Sequence, residues 1–301
     1  MILVAGGTGK LGRVLVPMLA ARGLSVRVLT RDLGHGNDLI SDNVELAVGD
    51  VRDEVALDRA MVGVQTVVSA VQGFTGVGGE SPRTIDWLGN RALIKAAEKS
   101  AVDHFILVSV QGASAVHPME LFRMKYKAEQ DLRTSSLSWT IIRATSFMEI
   151  WTSMIGTPLL ETGKTRIFGK GDNPINFVSS HDVARFIELA ATDPALRGEI
   201  VEVGGPENLT LYQVAQVFET VLGKTGKKTR IPRSVMRAMA TLLRPLKPAM
   251  ARQIQAGVVM DTAPMSFDSA ATRAKFPTMQ QTTLAEVIRR DFNVSSTGVE
   301  I

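Results

Sequence analysis

Short apolar runs alternate with helix-length segments along the first two thirds of the chain. The segments Thr84–Lys99, Leu121–Thr134 and Thr210–Leu222 have helical spacing. Parallel strands need such crossover helices between them, so the alternation predicts an α/β fold with a parallel sheet and helices on both faces. The apolar runs, which we predict to be the strands, are Ile2–Ala5, Val26–Thr30, Val44–Val48, Val64–Val71, Phe105–Val110, Trp139–Arg143 and Ile200–Val203.

Two further features qualify this pattern. The segment Phe74–Pro82 is rich in glycine and predicts a loop. In the helix predicted over Thr84–Lys99, one set of apolar residues at helical spacing predicts the buried face. These residues are Leu88, Leu93, Ala96 and Ala97.

Three glycines lie between the first predicted strand and the first predicted helix. Gly6, Gly9 and Gly12 follow the run Ile2–Ala5 directly, and an apolar helical stretch follows them. A glycine turn at this place lets backbone N–H groups approach a pyrophosphate, and the positive end of the helix dipole favours the anion. The second strand ends at Arg31, where a cation favours a ribose 2′-phosphate and an acid would favour a free hydroxyl. The sequence therefore predicts NADP(H) as the cofactor.

Ligands of parallel sheets bind at the carboxyl ends of the strands, and this rule nominates the remaining cofactor residues. Asp50 is expected on the adenine side, although a turn-capping role fits it equally. The cofactor-binding residues predicted at these strand ends are Gly6, Thr8, Gly9, Lys10, Leu11, Gly12, Arg31, Asp50, Val51, Ala70, Val71, Gln72 and Phe147.

Composition excludes several kinds of chemistry. The 301 residues include no cysteine, which excludes disulfides, thiolate catalysis and cysteine-ligated metals. The four histidines are scattered without metal-site spacing, so we expect no metal. No apolar run is long enough to span a membrane, and the chain enters a strand at Ile2 without a leader pattern. We therefore expect a cytoplasmic protein that acts on a small molecule.

One stretch is strongly basic. No acidic residue lies between Glu219 and Asp261, whereas the range 224–252 contains nine of the cations of a chain whose net charge is only +4. Three interpretations stay open: a solvated basic helix, a lid over an anionic ligand, and a membrane-surface helix. Pro245 and Pro248 argue against one continuous helix. A homodimer contact or a protein partner would also use this stretch. Nucleic acid is not expected, because no aromatic residues are interleaved with the cations.

Several segments resemble the NmrA-like group of atypical short-chain dehydrogenases/reductases. They are GGTGKLG, RVLTRD, the pair Gly49–Asp50, ILVSVQGAS and MKYKAEQDLRTSSLSWTIIRATSFME. The resemblance covers about the first 215 residues. It implies a Rossmann-type, doubly wound domain that binds NADP(H), with a small C-terminal substrate lobe. On this basis we expect the NADP(H)-binding domain over 1–150, its sheet completed by about 176–204, and the lobe over 151–175 and 205–301.

The resemblance also shows a missing residue. Short-chain dehydrogenases place a tyrosine, the proton donor, four residues before a lysine that holds the nicotinamide ribose. Here Lys125 matches the lysine, but Leu121 stands in the place of the tyrosine, and Ser109 matches the serine region. Lys125, Ser109 and His117 are the predicted catalytic residues. The alternative for Lys125 is a surface ion pair with Glu129.

The missing proton donor leaves three functional hypotheses. Hydride transfer to a simple ketone benefits from a positioned acid, whereas a quinone-like or other conjugated acceptor delocalises the developing charge. The first hypothesis is therefore an NADPH-dependent reductase of conjugated small-molecule acceptors. The second is a non-catalytic NADP(H)-binding sensor of redox state that regulates a partner. The third is a structural subunit that retains its nucleotide only for stability.

Overall fold

The computed structural model describes residues 1–76 and 79–294, and these residues divide into two compact units. The first unit comprises Met1–Ala144 and Val183–Val203, and the second comprises Thr145–Asp182 and the chain from Gly204 onward. Two parts of the sequence predictions lie outside the described residues. They are 77–78 of the predicted glycine-rich loop and 295–301 of the predicted C-terminal lobe.

A seven-stranded parallel sheet forms the centre of the first unit, which confirms the predicted α/β fold class. Its strands are β1 (Ile2–Ala5), β2 (Val26–Thr30), β3 (Val44–Val48), β4 (Thr66–Ser69), β5 (His104–Val110), β6 (Ser138–Ala144) and β10 (Ile200–Val203). Their order across the sheet is β10-β6-β5-β4-β1-β2-β3. The order reverses between β1 and β4, and doubly wound sheets bind their ligands at such a switch point.

The inner strands are largely apolar because helices cover both faces of the sheet. Every residue of β1 is buried, and Phe105 and Leu107 of β5 are completely buried. The helices of this unit are α1 (Gly12–Ala21), α2 (Glu54–Ala60), a π-helix (Pro82–Gly89), α3 (Asn90–Lys99), α4 (Glu120–Arg133) and α7 (Ser180–Thr192), whose first residues belong to the second unit.

Two local predictions for this unit are corrected. The strand predicted over Val64–Val71 is shorter, because the chain leaves the sheet after Ser69. The helix predicted from Thr84 begins instead with the π-helix, whose wider turn shifts the buried face. Leu88 is consequently 39% exposed, while Ile85 and Asp86 are buried. The other three predicted inner residues, Leu93, Ala96 and Ala97, are buried as expected.

The second unit contains two small sheets and a helical core. Strands β7 (Ser146–Phe147), β9 (Ile175–Val178) and β11 (Asn208–Leu209) form one sheet, and β8 (Lys164–Phe168) pairs in parallel with β12 (Lys227–Ile231). The large sheet is thus completed by β10, and β9 pairs elsewhere. The helices are α5 (Met148–Trp151), a π-helix (Thr152–Gly156), α6 (Thr157–Thr162), α8 (Leu211–Leu222), α9 (Arg233–Leu243), α10 (Pro248–Met260), α11 (Ala270–Lys275) and α12 (Leu284–Asp291).

Several helix ends in this unit lie at capping residues or prolines of the sequence. Thr210 caps α8, and its side chain and that of Gln213 form a reciprocal capping box. The break that Pro245 and Pro248 predict is confirmed, because α9 ends at Leu243 and α10 begins at Pro248. No described helix is long and apolar enough to cross a bilayer.

Candidate cofactor and active site

The glycine turn lies at the carboxyl end of β1, against the end of β4. Gly6 has a φ of +89°, which favours glycine, and a Cβ atom there would lie 2.6 Å from the carbonyl oxygen of Ala70. Gly12, the first residue of α1, packs directly on the backbone of Gly6 and Gly7, so no side chain fits there. The turn therefore brings backbone close to backbone at the switch point of the sheet. This geometry fits a dinucleotide pyrophosphate at the start of α1.

Arg13 holds the glycine turn against the segment that follows β2. Its guanidinium donates to the carbonyl oxygen of Thr8 at 3.2 Å and to that of His35 at 2.6 Å, and it pairs with Asp38. The sequence analysis missed this residue. Its position directly after the third glycine is the only signal that the sequence offers.

Arg31, the predicted phosphate ligand, is half exposed and carries an acidic partner. Its guanidinium pairs with the buried carboxylate of Glu80. Beside this pair, Arg52 donates to both oxygens of Asp50, at 2.8 and 2.6 Å. These bonds from Arg52 lower the pKa of Asp50, and the nearby charge of Arg31 lowers it further. A 2′-phosphate bound here would have to share Arg31 with Glu80.

The other predicted cofactor-binding residues differ in burial, and therefore in whether a cofactor would meet their side chain or their main chain. Thr8, Gly9 and Lys10 lie in the glycine turn, and Gln72 is exposed after β4. Leu11, Val51 and Val71 are buried, so their main chain is the part that a cofactor would meet. Asp50 also accepts the N–H of Arg52 at 2.9 Å, which is the turn-capping role named above. Phe147 ends β7 in the second unit.

Lys125 is buried and joins the ends of two strands. Its ammonium donates to the carbonyl oxygens of Val71 and Val108, both at 3.0 Å, and lies 3.1 Å from Oδ1 of Asp86. Asp86 lies on the π-helix, is completely buried, and accepts the N–H of Gly73 at 2.9 Å. Burial raises the pKa of Asp86, and the charge of Lys125 opposes that rise. Lys125 thus holds the backbone after β4 in place.

Ser109 belongs to a second buried network. Its hydroxyl donates to Glu129 at 2.5 Å, and Glu129 accepts two bonds from Arg143, at 3.0 and 2.6 Å. Glu129 is completely buried, and its hydrogen bonds raise the pKa of Arg143. The predicted alternative of a surface pair between Lys125 and Glu129 is wrong, because both residues are buried and each has a different partner.

His117 lies in the loop before α4. Its ring stacks on Phe122 with centroids 4.0 Å apart, and its Nδ1 accepts the N–H of Met119 at 3.1 Å. Burial lowers the pKa of His117. Since Nδ1 is an acceptor, a neutral ring carries its proton on Nε2 and can donate a hydrogen bond from there.

The sequence analysis did not name Asp86 or Arg143, and it gave Glu129 only as a surface partner of Lys125. Asp86 and Glu129 lie in predicted helices, where a polar residue is usually exposed. The only indication of an inward face is spacing: Asp86 lies four residues before Asn90, and Glu129 lies four residues after Lys125. Among the residues that the structure describes, no cluster of three or more His, Asp or Glu side chains could hold a metal ion.

Known proteins that are similar to this chain include a reductase as well as photosystem II assembly factors. A model of the NmrA-like family matches residues 1–273, well beyond the 215 residues of the predicted resemblance. An NAD(P)H azoreductase of Xenophilus azovorans is 28% identical over 225 residues, which cover 74% of each chain. A chloroplast protein of Arabidopsis thaliana, named for a high chlorophyll fluorescence phenotype, is 28% identical over 246 residues. That match covers 81% of this chain and 61% of the Arabidopsis protein, so this chain spans about three fifths of that relative's length.

Solved structures share the fold. The crystal structure of an NADPH-dependent quinone oxidoreductase of Escherichia coli, in complex with NADPH, superimposes with a TM-score of 0.79 at 23% identity. The superposition covers 97% of this chain and 100% of that one. The neighbour's cofactor is the one that the glycine turn and Arg31 predict for this chain.

Proposed function

Because the chain belongs to the NmrA-like family, we propose that it is an NADPH-dependent reductase of quinone-like or other conjugated acceptors. The observation that carries this proposal is the state of the polar groups at the strand ends. Leu121 is buried where short-chain dehydrogenases have their tyrosine. Ser109 already donates to Glu129, and the ammonium of Lys125 faces three oxygen atoms of the protein.

The chain would hold the cofactor with its backbone and one cation. The glycine turn and the start of α1 would bind the pyrophosphate, and Arg31 would bind the 2′-phosphate. When bound, NADPH supplies a hydride. The segment from Ala70 to Gly73, held by Lys125 at Val71 and by Asp86 at Gly73, would position the cofactor's nicotinamide side.

The reacting acceptor would receive little proton donation from these residues. His117 is neutral near neutral pH and would donate a hydrogen bond from Nε2, while Ser109 and Lys125 would contribute polarity. A positioned acid accelerates proton transfer by about 10²–10⁴-fold, and an acceptor that delocalises its own charge depends on it less. Quinones, azo compounds and enones fit that requirement, and simple ketones do not.

The test is NADPH oxidation with a panel of quinones, azo compounds and enones, with simple ketones as negative controls. We expect turnover with the conjugated acceptors and none with the ketones. Lys125→Met and Ser109→Ala should lower kcat/KM, whereas Lys95→Met, an exposed lysine on α3, should not. Turnover that is fastest with simple ketones would contradict the proposal.

The cofactor part of the proposal has a test of its own, by calorimetric titration. Arg31→Ala should weaken NADPH binding about 10–100-fold and leave NADH unchanged, because a charge-assisted bond contributes about 1.5–3 kcal/mol. Glu80→Gln should strengthen NADPH binding, since it releases Arg31 from its carboxylate. The exposed Arg59→Ala on α2 is the matched control. Equal effects on NADH and NADPH would contradict the role of Arg31.

The leucine at position 121 also favours a second candidate function, a non-catalytic NADP(H) sensor. This function requires no proton donor. It predicts different affinities for NADPH and NADP⁺ in the same titrations, together with no turnover across the whole panel. Turnover with any acceptor of the panel would reject the sensor in favour of the reductase.

A further inference from the structure

Helices α9 and α10 form a hairpin in the basic stretch of the second unit. The turn Arg244–Lys247 joins them. The two helices pack closely, since a Cβ atom on Gly257 would lie 2.9 Å from the buried side chain of Met236. The hairpin therefore has a packed inner side, and its remaining surface is open.

The open surface carries large apolar side chains, which concentrate at the tip of the hairpin. Leu242 is 73% exposed and Leu246 is 82% exposed. Val235 and Met239 continue the same side of α9, because positions 235, 239 and 242 are spaced by four and three residues. Met250 lies on the first turn of α10 and is also exposed. Large apolar patches on a protein surface are typical of interaction sites.

Apart from Arg252, which is partly buried, the cations of the basic stretch divide into two groups. Lys228 and Arg233 pair with Glu219 and Asp261, the two acids that flank the stretch. The second group is exposed and forms no ion pair with any residue that the structure describes. It consists of Lys224, Lys227, Arg230, Arg237, Arg244 and Lys247.

We propose that the tip of this hairpin binds the surface of an anionic lipid bilayer. Leu242 and Leu246 would enter the boundary between head groups and acyl chains, and Arg244 and Lys247, which flank Leu246, would meet the lipid phosphates. Exposed leucines beside unpaired cations are the composition that binds such a surface. The proposal is independent of the proposed reductase activity.

Two features favour a bilayer over a macromolecular partner. Protein interfaces centre on aromatic anchors, and single-stranded nucleic acids stack on aromatic rings. The stretch 220–260 has no aromatic residue. Its exposed leucines at the tip lie in the turn (Leu246) and at the end of α9 (Leu242), where they can be buried without changing the packed side of the hairpin.

The test is co-sedimentation of the full chain with vesicles of phosphatidylcholine, with and without phosphatidylglycerol. We expect binding only to the vesicles that contain phosphatidylglycerol, and weaker binding at high salt. Leu242→Ser/Leu246→Ser and Arg244→Ser/Lys247→Ser should each weaken it about tenfold or more. Val116→Ser, which changes a residue that is 89% exposed in the first unit, should have no effect.

Three outcomes would overturn the proposal. The first is equal or absent binding to the two kinds of vesicle. The second is binding that depends on the cations but not on the leucines and that polyglutamate abolishes, which would indicate an acidic protein partner. The third is a dimer in gel filtration that Leu242→Ser disrupts, which would indicate a second copy of the chain. Circular dichroism of each variant verifies that it is folded.

Discussion

The charged side chains near the strand ends of the first unit and those of the α9–α10 hairpin differ in burial and in pairing. Asp86, Lys125 and Glu129 are almost completely buried, and each faces an opposite charge. Arg244 and Lys247 are exposed and form no ion pair within the described residues. A buried charge without its partner is costly, whereas an exposed one is solvated by water. The first set therefore contributes to the position of the backbone, and the second set is free to meet a ligand.

The largest loss of folding stability is expected from substitutions at Lys125 and Asp86. Lys125→Met leaves Asp86 buried without a counter-charge and should lower the free energy of unfolding by about 3–5 kcal/mol. Adding Asp86→Asn to Lys125→Met should restore part of the lost free energy of unfolding, with a coupling free energy between the two substitutions of about 0.5–3 kcal/mol. Urea denaturation measures both. Strictly additive single effects would show that the two side chains do not interact.

A smaller loss of folding stability is expected from a substitution at Glu129. Glu129→Ala removes the partner of Arg143 and of the Ser109 hydroxyl, but Arg143 retains Glu202 at 3.7 Å. We expect the free energy of unfolding to fall by about 3 kcal/mol, the lower end for a broken buried pair. The matched control is Glu161→Ala, at an exposed position on α6. Equal stability of the two variants would refute the structural role of Glu129.

A third effect depends on pH and comes from His104, a buried residue of β5. Its Nε2 lies 2.9 Å from the hydroxyl of Thr140, which itself donates to the carbonyl oxygen of Leu196, so Nε2 of the histidine donates to Thr140. Burial lowers the pKa of His104 from 6.5 to about 4. Between pH 4 and 6.5 the unfolded chain therefore binds more protons at His104 than the folded chain does. The free energy of unfolding consequently falls as the pH falls from 6.5 towards 4.

The contribution of His104 should reach about 2 kcal/mol near pH 5, from the slope of about 1.4 kcal/mol per pH unit. Urea denaturation between pH 7 and about 5 measures it. His104→Gln should flatten this dependence, and the exposed His35→Gln should not. An unchanged slope in His104→Gln would show that other groups cause the acid sensitivity.

The smallest effect is expected in the hairpin. Leu242→Ser and Arg244→Ser change exposed side chains, so each should alter the free energy of unfolding by less than about 0.5 kcal/mol. The measurement is the same urea denaturation. A loss above 1 kcal/mol would mean that these side chains pack against the protein and would remove the contrast between the two regions.

The sequence predicted those parts of the fold that depend on local pattern. All seven strands of the large sheet were expected, because their sequences are mainly apolar and are separated by helix-length segments. The small sheets were not expected. Strand β7 has two residues and no pattern, and β12 reads KKTRI, a basic sequence that pairs with β8 only in the folded chain.

The cofactor-binding and catalytic roles of the predicted site residues stay predictions, and the partners of these residues in the folded chain could not be predicted from the sequence. The glycine turn and Arg31 follow from their place beside predicted strands, whereas the partner of Arg31 is Glu80, 49 residues further along. Lys125 was named from a family resemblance. Its contacts with Asp86 and Val71 depend on how α4 and the π-helix pack, and single-sequence periodicity does not encode that packing.

The last strand of the large sheet has a consequence for synthesis of the chain. β10 comes from Ile200–Val203, after the chain has passed through Thr145–Asp182 of the second unit. On a ribosome the first unit therefore stays incomplete, with β6 as an open edge, until residue 203 has emerged. A fragment that ends at Ala144 should expose that edge and self-associate. For the same reason, neither unit can be exchanged between relatives by a single crossover in the gene.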